Sequence, residues 1–126
     1  MRRIYIGGNL FWVYLRDLNK VVPFVWSKDR TKVKNIENGD VIDYAKDDRF
    51  LHDIIKIKYH QKSPVQIIEF PKVLSMLGLN EKEIYFGANK YTNLNNALYS
   101  KRQVVNATKK IQEIVIKREK LEDLQK

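Results

Sequence analysis

The chain has 126 residues, of which 24 are Lys or Arg and 15 are Asp or Glu, giving a formal net charge of +9, and it has no cysteine. That length suits a single domain, residues 1–126, and a hydrophobic content of 44% can fill its core without disulfides or a structural metal. The lack of cysteine excludes iron–sulfur clusters, thiolate zinc sites and thiol nucleophiles and fits a reducing, cytoplasmic setting, and no apolar run reaches the roughly 20 residues a membrane span needs.

Three runs of aromatic and β-branched residues, 3–6, 10–15 and 20–26, read as strands. Gly7-Gly8-Asn9 and residues 17–19 separate them, so an antiparallel meander is expected. Pro23 lies inside the third run and cannot donate to a ladder, which points to an edge strand or a bulge. Residues 31–36 alternate like a half-exposed strand. Glu37-Asn38-Gly39-Asp40 then suits a hairpin turn, because Asn-Gly tolerates positive φ, and residues 41–44 pair back.

Asp47 or Asp48 can cap a helix through Tyr59, with Phe50, Leu51, Ile54 and Ile55 on one face. Ile55, Ile57 and Tyr59 alternate as a strand would, so both readings stay open. Residues 65–70 suggest a short buried strand, Pro71 opens a helix to Leu77, and Gly78 ends it. Thr92 or Asn93 caps a last helix that runs nearly to Lys126, with a stripe of Val104, Ala107, Ile111, Ile114, Arg118 and Leu121. Leu94, Leu98, Val105, Val115 and Ile116 widen its apolar zone. The expected fold class is α+β, with an N-terminal antiparallel sheet and a helical C-terminal half ending in a long amphipathic helix.

The charge is unevenly spread. No acid occurs in residues 85–112, which hold Lys90, Lys101, Arg102, Lys109 and Lys110, and none occurs in residues 54–68, which hold Lys56, Lys58 and Lys62. Cations neutralise phosphate, while interleaved tyrosines such as Tyr91 can stack on unpaired bases. The expectation is that both stretches meet in one basic face that contacts nucleic acid, DNA ahead of RNA. A lysine-rich surface that only solvates the fold is the competing reading.

Residues 73–84 resemble the core of a helix-turn-helix of the phage-repressor type. In that resemblance Gly78 permits the turn, Leu79 plugs between two helices, Asn80 caps the second and Ile84 locks it, which implies DNA reading by the second helix. The pattern departs where Leu74 stands in place of the usual alanine, and where Glu81 and Glu83 oppose phosphate. Gly87 would also shorten the second helix, and a plain helix–turn pair in the core is the alternative.

Two further classes remain. One is an assembly protein, of the kind phages, viruses and other mobile elements encode, associating through Val104, Ala107, Ile111, Ile114 and Leu121. The other is a metal-dependent nuclease, faintly echoed by Asp53, Glu69 and Lys72, although Pro71 interrupts the strand that should carry the last two. His52 and His60 lack a third ligand at a suitable spacing, so no metal or other cofactor is expected. Trp12 and Trp26, on adjacent strands, are expected to form a cross-strand or core pair.

Overall fold

The computed structural model describes residues 4–44, 50–78 and 96–124. In chain order these form β1 (Ile4–Ile6), β2 (Leu10–Leu15), β3 (Lys20–Trp26), β4 (Lys32–Asn35) and β5 (Val41–Asp43). Helix α1 (Leu51–Lys58), β6 (Gln66–Glu69), α2 (Phe70–Met76), β7 (Leu98–Ser100) and α3 (Lys101–Leu124) follow. The fold is α+β, with a five-stranded antiparallel sheet of order β5-β4-β3-β2-β6 and a separate β1–β7 ribbon.

Strand β2 organises the core. Its six residues, LFWVYL, are all buried, because both faces of the sheet are covered there. Successive strand residues point to opposite faces, so Leu10, Trp12 and Tyr14 meet α2 and α3 on one side. Phe11, Val13 and Leu15 meet Leu51, Ile54 and Ile55 of α1 on the other. An unbroken apolar run, in place of the usual alternation, is the sequence mark of a strand buried on both faces.

The same parity separates the two tryptophans. The β2–β3 register pairs Trp12 with Pro23 and Leu10 with Val25, which puts Trp26 on the face opposite Trp12. Trp12 stacks on Phe70 with ring centroids 6.4 Å apart, whereas Trp26 packs against Phe11 at 5.0 Å. The expected pair does not exist.

Pro23 lies in an internal strand, against the expectation of an edge or bulge. Its carbonyl accepts from Ile36 N at 3.0 Å, so its nitrogen faces the β4 side as well. The β3–β4 ladder begins only at Phe24 opposite Asn35, and the missing N–H therefore falls where that ladder ends. Beyond it, the backbone N–H of Val21 is satisfied by the Gln112 side chain of α3, at 3.0 Å.

The expected meander loses its first member. Gly7-Gly8-Asn9 forms a 3₁₀ turn, Gly7 N donates to Ala97 O at 2.9 Å, and β1 pairs with β7 instead of β2. Gly39, by contrast, takes the anticipated positive φ of 82° in the loop joining β4 and β5. Residues 51–58 are helical, which decides the helix-or-strand ambiguity, while Asp47 and Asp48 lie outside the described residues. Strand β6 is an edge strand with Gln66 and Glu69 exposed, so only part of the expected burial there holds. Pro71 sits in the first turn of α2, and Gly78, at φ 70°, follows its end.

Helix α3 starts at Lys101, and Leu98, expected on a helical face, is in β7. Thr92 and Asn93 lie outside the described residues. Ser100 and Gln103 cap the helix reciprocally. Gln103 N donates to Ser100 Oγ at 3.2 Å, and Ser100 N donates to Gln103 Oε1 at 2.8 Å.

Candidate functional site

Helix α3 divides its residues by angle. Val104, Thr108, Ile111 and Val115 are buried, at spacings of four, three and four. Of the apolar stripe, Val104 and Ile111 pack in the chain's own core, while Ala107 and Ile114 are half-buried. Leu121 is exposed. Thr108 was not anticipated. Its hydroxyl accepts from the indole N–H of Trp12 at 2.8 Å and donates to Val104 O at 2.7 Å, so a polar residue is satisfied within an apolar stripe. A buried indole N–H usually finds an acceptor, which is the signal Trp12 offers, whereas the Trp26 indole N–H is buried without one.

The opposite side of α3 carries Arg102, Asn106, Lys109, Glu113, Lys117 and Lys120, all exposed, with Lys110 beside them. At 1.5 Å per residue the row from Arg102 to Lys120 is about 27 Å long. Glu113 is the single acid within it. None of these cations is bridged to a carboxylate among the described residues, and Glu119 of the same helix pairs instead with Arg16. Lys101 is exposed in the first turn of α3, and Lys90 and Tyr91 lie outside the described residues.

The helical part of the second basic stretch does not join this row. Lys56 and Lys58 belong to α1, which packs on the other face of the sheet, and Lys62 lies in the loop beyond it. Lys56 shares a shallow depression with Asp53 and His60. The backbone N–H groups of Lys62 and Ser63 donate to the Asp17 carboxylate, and the Lys62 backbone bond is the main reason its pKa is lowered. Lys56 and Lys58 therefore lie in the layer opposite the α3 row, because α1 and α3 bury opposite faces of β2.

Beside the α3 row, a cleft of about 320 Å³ opens between α2 and α3. Trp12, Phe70, Leu74, Leu77 and Tyr99 line it, with Gln103, Asn106, Ala107 and Lys110 along the α3 wall. Tyr99 is half-buried, its ring lies 5.6 Å from that of Phe70 at 61°, and burial raises its hydroxyl pKa. Gln103 Oε1 is engaged by Ser100 N, whereas Asn106 is exposed with no partner among the described residues.

Of the residues that resembled a helix-turn-helix, α2 and Gly78 are described, and those from Leu79 onward lie outside the described residues. Asp53 is on α1 and Glu69 closes β6. Among the described residues no group of three or more His, Asp or Glu could hold a metal ion. No helix among them is long and apolar enough to cross a membrane. No family model, curated protein or solved structure matches the chain.

Proposed function

We propose that the chain is a non-enzymatic nucleic-acid-binding protein that holds a phosphate backbone against the outward face of α3. The observation that carries this reading is the row Arg102, Lys109, Lys110, Lys117 and Lys120, exposed, unbridged and interrupted only by Glu113. A rigid helix keeps such cations in a line, and a line of cations displaces condensed counterions from a polyphosphate. DNA is placed ahead of RNA, and the basic residues of α1 are assigned no part in binding.

The test is a binding titration with labelled duplex and single-stranded oligonucleotides across a range of salt. The logarithm of the association constant should fall linearly with that of salt, by roughly 0.7 to 0.9 per phosphate contacted. Arg102→Glu with Lys109→Glu should weaken binding and flatten that slope by roughly 1.4 to 1.8. Lys56→Glu with Lys58→Glu should leave both quantities unchanged. Absence of binding to any strand at low salt overturns the reading.

Self-association is the second reading. It draws support from Leu121 and Leu124, 53% and 82% exposed on the last turns of α3. Light scattering of Leu121→Lys tests it: a mass that stays constant in both proteins removes it.

A further inference from the structure

We infer that the cleft between α2 and α3 receives one unpaired nucleobase while the cationic side of α3 holds the phosphates that flank it. The inference rests on the nucleic-acid reading above and goes further, because it specifies single-stranded nucleic acid and a contact with a base. A volume of about 320 Å³ falls at the lower end of the range of small-ligand sites, roughly 300–1,000 Å³.

A base needs apolar surface for its two flat faces and polar groups for its edge. The cleft supplies both from different elements. Leu74 and Leu77 of the α2 segment and the half-buried ring of Tyr99 offer the apolar surface. Along the α3 wall, the Asn106 amide offers both donors and its acceptor, and the Gln103 amide retains its NH₂ group because only its oxygen is engaged.

Charge complementarity selects this occupant over an apolar peptide or a lipid tail. Lys110 belongs to the cleft wall and stands next to Lys109 of the outward row, so a strand whose base enters the cleft brings its phosphates to cations already in place. An acyl chain or a leucine-rich helix carries no negative charge to match these ammonium groups, which water alone would then solvate. Duplex DNA cannot enter unless a base leaves the stack, at a cost in unstacking and unpairing.

The experiment compares two labelled strands of equal length and charge, one carrying its bases and one abasic, titrated into the protein at fixed low salt. The base-bearing strand should bind roughly tenfold more tightly, the contribution of stacking one base. Ala107→Leu adds bulk to the cleft wall and leaves the charge unchanged. It should bring the affinity of the base-bearing strand down to that of the abasic one without altering the latter. The wild-type comparison stands even if this variant fails to fold. Equal affinity of the two strands for the wild-type protein overturns base insertion and leaves the phosphate reading intact. Failure of both strands to bind overturns the phosphate reading itself. A free nucleoside monophosphate that binds as tightly as the strand would make the cleft a small-molecule site and would also overturn the inference.

Discussion

The two faces of the central sheet are closed by different means. On the α1 side, a helix of eight residues covers an aromatic cluster in which Phe11 stacks on Phe24 at 5.5 Å and Tyr59 meets Phe24 edge-on at 6.2 Å. On the α3 side, a helix of 24 residues is pinned by polar bonds that span the chain: Thr108 to Trp12, Gln112 to the backbone of Val21 and Glu119 to Arg16. Aromatic area lets a short element close a face on its own. A long helix needs its direction set as well as its burial, and directional hydrogen bonds set it. One consequence is that α3 presents a long exposed side, whereas the exposed side of α1 spans only eight residues.

Core truncation on either face should give the largest effects. Phe24→Ala on the α1 side should cost about 3–5 kcal/mol and Ile111→Ala on the α3 side about 2–5 kcal/mol, since both side chains are fully buried. Chemical denaturation measures both, and a loss below 1 kcal/mol at either site would mean that its face is not packed as described. Thr108→Val, nearly isosteric, should cost about 1–3 kcal/mol by leaving the Trp12 indole N–H buried without an acceptor. An unchanged denaturation midpoint would show that α3 is held by apolar contact alone. Ser100→Ala removes one half of the cap at the start of α3 and should cost about 1 kcal/mol. Fraying of the first turn in amide exchange would accompany it, with no change at α1.

The smallest effect concerns the loop between β3 and β4. Asp29 accepts hydrogen bonds from the hydroxyls of Ser27 and Thr31 and from Thr31 N, and these bonds, Ser27 first, lower its pKa to about 2. A depressed carboxylate pKa stabilises the fold above its ordinary value near 3.8, and that contribution disappears as pH falls through about 2. The emission of Trp26, whose ring lies 5.1 Å from the Arg30 guanidinium, should change over this acid window and lose the transition in Asp29→Asn. A pH-independent signal in the wild-type protein would separate the loop from the carboxylate.

Local pattern was enough to locate β2, β3 and α2 to within a few residues, and left α1 open between helix and strand. Apolar period, Pro71 and the turn residues act over one or two turns of chain, and Gly39 adopts the backbone its turn demands. The start of α3 is legible in principle, since Ser100-Lys101-Arg102-Gln103 is a capping sequence, but Thr92 and Asn93 are competing cap residues upstream. The pairing of β1 with β7 had no local signal. Nothing in residues 4–6 indicates a partner more than ninety positions away, and Leu98 reads equally well as helix.

The candidate site followed the same division. Composition marked Lys101, Arg102, Lys109 and Lys110 as an acid-free group on one helix, and all four are exposed there. Composition also joined them to Lys56, Lys58 and Lys62, of which Lys56 and Lys58 ride on α1 in the opposite layer. The cleft was invisible for a related reason. Its walls come from β2, α2, β7 and α3, and only packing brings them together.

What the amino-acid order determined by itself was part of the inventory: the apolar runs of β2 and β3, the residues apolar enough to be buried, and the number of cations in residues 101–124. The tertiary structure alone decided which face of β2 each helix covers, and therefore which cations share a surface and where the cleft opens. Side-chain alternation along β2 assigns its residues to two faces but does not label the faces, so which helix takes which is settled only when long-range contacts such as Trp12 to Thr108 form.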